Sequence, residues 1–237
     1  NEKYVIPPTM ELLNKCTAVK KISLAPEVEG SLDFIKECPA VVSLGHMTAD
    51  YDTAKAAFEA GAKCLTHTYN CMPGLHHRNP GPIPAGAECG AYAELICDES
   101  GVHVVPDLIK MFVRTKGVER ICLISDSMPS RTDYKNNEAE GIWYGPDLNY
   151  DDEGHLAGSR MTLDNGVRNL MTHTGYGLCH AIRMATLNPA KLLGIDHRVG
   201  SLKAGKTANL LIIDDMVHID KVILEGELAV DGGEVII

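Results

Sequence analysis

Two histidines and an aspartate each close a short apolar run. His46 ends Ala40-Val41-Val42-Ser43-Leu44-Gly45, His67 ends Cys64-Leu65-Thr66, and Asp126 ends Ile121-Cys122-Leu123-Ile124-Ser125. Successive parallel strands of an α/β barrel present their last residues on one face, so side chains from separate strands converge there. Two neutral imidazoles and a carboxylate on that face suit a divalent metal and the water it activates. Each residue also has a structural reading. A strand-end histidine can be a hydrogen-bonded core residue, and Asp126 can cap a turn. Their common placement is what favours chemistry.

Further polar residues follow the same strand ends. The loop 70–86 runs directly on from His67 and is rich in Pro and Gly, and long loops inside compact domains tend to be functional. Its Arg78, flanked by His76 and His77, is a candidate anion clamp, because a guanidinium offers a fixed fork of donors to phosphate. His103, in Ser100-Gly101-Val102-His103, reads equally as a site residue or a surface-turn histidine. Glu27 could ligate a metal, polarise a neighbour or cap the helix expected over 30–36. Histidines 155, 173, 180, 197 and 218 read as structural.

The elements that must position these residues are legible as a rhythm. Apolar runs at 22–25, 41–44, 64–66, 93–97 and 121–125 alternate with helical patterns, which implies βαβ units and a parallel sheet. Asp50 can cap a helix burying Ala54, Ala57 and Phe58 before Gly61. Pro106 can open another with Leu108, Met111 and Phe112 on one face before Gly117. Helices are expected over 163–174 and 178–186. From residue 198 the pattern turns to short β runs at 208–213, 221–224 and 228–230. The expected division is therefore a barrel part, 1–197, and a small β appendage, 198–237. Only five barrel strands are visible where a closed barrel has eight, so either the sheet is open or the first strands lie upstream.

Bulk composition sets the class. The 237 residues are 45% hydrophobic and 23% charged, an ordinary globular mixture. A formal charge of −10 argues against a nucleic acid or an anionic membrane as partner. Eight cysteines with no C-x-x-C pair, several within apolar runs, suit a reducing cytoplasm. No run approaches the ~18 apolar residues of a membrane helix.

These residues together resemble the N-acetylglucosamine-6-phosphate deacetylases of the amidohydrolase superfamily. The likeness runs in order from about residue 20 to the end. It rests on Leu24-Ala25-Pro26-Glu27, Gly45-His46, Thr66-His67-Thr68-Tyr69-Asn70-Cys71-Met72-Pro73 and His77-Arg78-Asn79-Pro80-Gly81. It continues through Gly101-Val102-His103, Ser125-Asp126, Leu156-Ala157-Gly158-Ser159, Arg183-Met184-Ala185-Thr186 and Asn188-Pro189-Ala190. The superfamily's shared Gly-x-Leu-x-x-Gly-Lys tail is present at 200–206.

The resemblance implies a distorted TIM-like (β/α)8 barrel, of which the last five strands are here, with a small β-sandwich. It implies that His46 and His67 bind a divalent metal, zinc first, with iron, manganese or cobalt as alternatives. Asp126 would be the general base, then the acid toward the leaving amine. Arg78, with Asn70 and the Cys71 backbone, would hold the phosphate of an amino-sugar substrate. His103 would bind a sugar hydroxyl or the phosphate end, and Leu156, Ala157 and Gly158 would line the sugar pocket. A homodimer is implied as well. An alternative substrate is N-acetylgalactosamine 6-phosphate, and an alternative role is a non-catalytic barrel without its metal. The family's His-x-Glu-Gly-Pro and His-Asn-Pro motifs, which supply a third ligand and a substrate histidine, are expected upstream of Asn1. Cys71 replaces the usual alanine, and the Asp98–His103 segment is two residues longer than the family's Asp-Gly-x-His.

Overall fold

The computed structural model describes residues 5–128, 142–144, 148–151 and 153–236. After a short helix α1 (Met10–Asn14), strands and helices alternate. They are β1 (Lys21–Leu24), α2 (Ser31–Glu37), β2 (Val41–Leu44), α3 (Tyr51–Ala60) and β3 (Cys64–Leu65). Then come α4 (Pro82–Glu88), β4 (Tyr92–Ile96), α5 (Pro106–Lys116) and β5 (Ile121–Ile124). The five strands form one parallel sheet in chain order, as the alternation implied.

The two faces of that sheet differ in chemistry. Ile22, Leu24, Val42, Leu44, Leu65, Ala93, Leu95, Ile121 and Leu123 belong to the apolar core beneath the helices. The opposite face carries Lys21, Ser23, Ser43, Cys64, Glu94 and Cys122, in keeping with the period-2 alternation of a strand. Across it, Lys21 Nζ reaches Glu94 Oε1 at 2.7 Å. Their strands β1 and β4 would stand about 14 Å apart if the sheet were flat. The sheet therefore curls around its polar face, as a barrel segment does.

Helix boundaries follow their caps. Asp50 accepts from the Thr53 N–H at 2.8 Å, and α3 buries Ala54, Ala57 and Phe58. In α5 the buried residues are Ile109, Phe112 and Val113, whereas Met111 is exposed, so the expected face is rotated. The expected 70–86 loop is shorter, because Gly81-Pro82 starts α4; proline tolerates the first helical turn, where its missing N–H costs nothing.

Beyond β5, β6 (Ile142–Tyr144), β7 (Leu148–Asp151) and β8 (Leu156–Ser159) make an antiparallel sheet that the sequence reading missed. Helices α6 (Leu163–Thr174) and α7 (Leu178–Ala185) fall where expected, and α8 (Leu187–Leu192) takes up the Asn188-Pro189 segment. The terminal strands β9 (Leu210–Ile213), β10 (Ile219–Leu224), β11 (Glu227–Asp231) and β12 (Glu234–Val235) form a separate antiparallel sheet.

Candidate active site

β2, β3 and β5 end in the same way. His46, His67 and Asp126 each adopt a left-handed backbone, with φ of 49°, 28° and 50°. Non-glycine residues in that region cost on the order of 1–3 kcal/mol and cluster where function requires an unusual side-chain direction. Here the unusual backbone falls just past the end of each of the three strands. Tyr69 and Cys71, in the loop after β3, share the left-handed conformation with φ of 80° and 50°.

The two histidines meet. His67 Nε2 lies 2.9 Å from His46 Nε2, with the rings edge to face at 77°. His67 Nδ1 is 3.2 Å from the carbonyl of Asn70, which can only accept, so this contact suits a proton on Nδ1 and leaves Nε2 facing His46. Desolvation first, then the field of His67, pushes the His46 imidazole below its ordinary pKa, while Asp126 pulls it upward. Two imidazole nitrogens meeting on one rim are a donor set that fits a borderline cation such as Zn²⁺, whose Zn–N bonds run about 2.0–2.1 Å. The carbonyl behind His67 is the usual outer partner of a ligating imidazole. Among the described residues no three His, Cys, Asp or Glu side chains are grouped closely enough to hold an ion. His46 and His67 are thus a pair, with Asp126 an electrostatic neighbour.

A framework beneath the rim fixes the pair. Thr66 Oγ1 lies 2.8 Å from Ser23 Oγ and 2.7 Å from Ser43 Oγ, joining β1, β2 and the end of β3. Gly45 is needed because a Cβ there would stand 2.6 Å from Thr66 Cβ. β8 docks on the Asp126 turn: the Ser159 N–H donates to Asp126 O at 2.8 Å, and the Met128 N–H to Ser159 O at 2.9 Å. Gly158, at φ 88°, leaves room for Asp126 O, which a Cβ would approach to 2.9 Å. Gly158 is thereby brought beside Asp126, at the end of the strand that carries Leu156 and Ala157.

The remaining sequence candidates divide. Asn70 supports His67, and exposed Cys71 accepts from the Met47 N–H at 2.9 Å, tying the two histidine turns together. Arg78 is exposed, next to the His76 and His77 rings, which lie tilted at 44° with centroids 4.3 Å apart. His103 is different. Its side chain is only 2% exposed, and Nδ1 pairs with Asp98 Oδ2 at 2.8 Å. Its Nε2 and Asp98 Oδ1 have no hydrogen-bond partner among the described residues. Burial alone would raise the Asp98 pKa; hydrogen bonds from the His103 ring and N–H and from Gly101 outweigh it and hold the carboxyl below the usual range. From α6, His173 Nε2 and Asn169 Nδ2 donate to the carbonyls of Asp98 and Cys97, each at 3.0 Å. Sequence reading missed Asp98, Asn169 and a role for His173, since nothing in their spacing links β4 to α6.

Residues 32–229 match the model of the Amidohydrolase family. The chain belongs to that family. It is 38% identical over 230 residues to an N-acetylgalactosamine-6-phosphate deacetylase of Escherichia coli O157:H7, a match spanning 89% of this chain and 57% of that protein. It is 39% identical over 219 residues to an N-acetylglucosamine-6-phosphate deacetylase of Vibrio furnissii, spanning 89% of this chain and 54% of that one. The crystal structure of N-acetylglucosamine-6-phosphate deacetylase from Pasteurella multocida matches with a TM-score of 0.89 and 29% identity, over 98% of this chain and 63% of that one. This amidohydrolase chain therefore has the TIM-barrel hydrolase fold, with β1–β5 as its parallel strands, and spans little more than half the length of the curated relatives it matches. Among the described residues no helix is long and apolar enough to cross a membrane.

Proposed function

We propose that this chain carries the catalytic rim of a metal-dependent deacetylase of N-acetyl amino-sugar 6-phosphates, releasing acetate and the free amine. The observation that carries the proposal is the convergence of His46 Nε2 and His67 Nε2 at 2.9 Å on the rim that also holds Asp126. A divalent metal held by these imidazoles, zinc by their chemistry, would polarise the acetamide carbonyl and acidify a water. Asp126 takes the proton from the attacking water and returns it to the departing amine, addressing the poor leaving group. Arg78, with Asn70 and the Cys71 backbone, holds the phosphate and so positions the sugar. Leu156, Ala157 and Gly158 wall the sugar beside Asp126. His103, held by Asp98, offers a substrate oxygen its Nε2, which has no partner among the described residues. Residues 1–197 form the barrel part and 198–237 the appended strands of an enzyme that works as a homodimer in the cytoplasm. Eight unpaired thiols suit that reducing compartment.

The test is acetate release from N-acetylglucosamine 6-phosphate and N-acetylgalactosamine 6-phosphate by the full gene product, before and after chelation. Activity lost on chelation and restored by Zn²⁺ supports the proposal, and the better substrate assigns the sugar. A metal-loaded protein inactive on both overturns it. The galactosamine reading stands beside the glucosamine one because relatives bearing either name match at nearly equal identity, 38% and 39%.

A further inference from the structure

The His46 turn is gripped by a residue outside the metal and substrate set. Glu27 follows β1, in Leu24-Ala25-Pro26-Glu27, and its carboxylate oxygen Oε1 accepts from the Thr48 backbone N–H. The same oxygen accepts from Thr48 Oγ1 at 3.0 Å. It does not cap the neighbouring helix, since α2 starts from Gly30 with no side-chain cap. Thr48 lies two residues after His46, whose backbone is held at φ 49°.

Three contacts close on this turn from three sides. The Gly45 N–H donates to Leu24 O of β1 at 3.1 Å, and the Met47 N–H donates to Cys71 O of the β3 loop at 2.9 Å. Glu27 supplies the third, two hydrogen bonds to an ionised acceptor, which are about twice as strong as neutral ones. A strained non-glycine turn persists only when its surroundings over-determine it. Of the three contacts, only this one is made by a side chain that mutation can remove.

We propose that Glu27 is a positioning residue: acting through Thr48, it holds the left-handed turn that aims His46 Nε2 at His67 Nε2. The proposal rests on the reading of His46 as a metal ligand. Without Glu27 the turn relaxes toward an ordinary backbone, Nε2 swings away, and the pair must be reassembled each time an ion binds. The cost falls on metal affinity more than on folding, because Glu27 and Thr48 are both exposed and outside the core.

The experiment measures Zn²⁺ affinity of the full-length protein by competition with a chromogenic chelator, and Co²⁺ binding by its visible absorption. Glu27→Ala is expected to raise the metal Kd about tenfold, the lower end of the effect of losing an outer-sphere partner. Glu27→Gln keeps an acceptor oxygen for the Thr48 N–H and is expected within about threefold of wild type. Thr48→Val, which removes one of the two donors, falls between. At saturating Co²⁺ the kcat of Glu27→Ala recovers and its metal-free Tm stays at the wild-type value. Unchanged metal affinity in both Glu27→Ala and Thr48→Val overturns the inference, as does a loss of metal-free Tm parallel to the loss of affinity. His46→Gln separates the two levels. If it leaves affinity intact, the ligand reading itself falls; if it abolishes binding while Glu27→Ala does not weaken it, only the positioning role falls.

Discussion

Replacing Gly45 with alanine tests the rim framework directly. The added Cβ would lie 2.6 Å from Thr66 Cβ, 3.1 Å from its Oγ1 and 3.2 Å from its Cγ2. Carbon pairs prefer about 3.5–4.0 Å, so the overlap is on the order of 1 Å. Neither side can retreat cheaply. The Gly45 N–H is bonded to Leu24 O at 3.1 Å, the Thr66 N–H to Leu44 O at 2.8 Å, and the Thr66 hydroxyl to two serines. Overpacking costs about 1–3 kcal/mol. Losing one hydroxyl bond adds roughly 0.5–1.5 kcal/mol. A total of about 1.5–4.5 kcal/mol lowers the Tm of a chain this size by roughly 3–18 °C. Urea and thermal unfolding of metal-free protein read the stability, and elemental analysis reads the bound metal, which should fall too because His46 is the next residue. Thr66→Ala should not rescue the variant, since alanine retains the contacted Cβ; only Thr66→Gly removes it. An unchanged urea midpoint, or rescue by Thr66→Ala, would refute the reasoning.

Other perturbations reach the remaining parts of the site. Asp126→Asn should lower kcat by about 10²–10⁴-fold while metal content stays normal, and near-normal turnover would remove Asp126 from the general-base role. Arg78→Ala should raise KM for the phosphorylated sugar and leave an unphosphorylated analogue unaffected; equal loss on both argues against a phosphate clamp. Asp98 is held below the usual carboxylate range, so its stabilisation is complete above the unfolded value near ~3.9 and is lost as pH falls through the folded value. Urea midpoints of Asp98→Asn should therefore lose part of the wild-type decline below pH 4, and an identical decline would contradict this. Burial pushes the Cys64 and Cys97 thiols up to about 12 and raises Cys122 as well, whereas Cys16, Cys71, Cys89 and Cys179 are exposed. A thiol reagent should modify the exposed four rapidly and these buried three only on unfolding; early reaction of Cys64 would show that the polar face of the sheet is open.

Local sequence determined the strand–helix rhythm, because apolar runs and caps such as Asp50 and Gly61 act over a few residues. It also determined that His46, His67 and Asp126 share one rim, since equal placement at the ends of parallel strands fixes their side. It misjudged the buried face of α5 by choosing Met111 over Ile109 and Val113, a choice that depends on what packs above the helix. It was silent on β6–β8, whose short runs gain meaning only where Ser159 pairs with the Asp126 turn. Tertiary structure alone decided that His46 and His67 touch, that Glu27 grips Thr48 across 21 residues, and that His103 is buried on Asp98 rather than open. Spacing along a chain sets which side of a strand a residue takes. Distances between strand ends, and the left-handed turns that aim the side chains, come from sheet curvature and cross-strand bonds that no local pattern encodes.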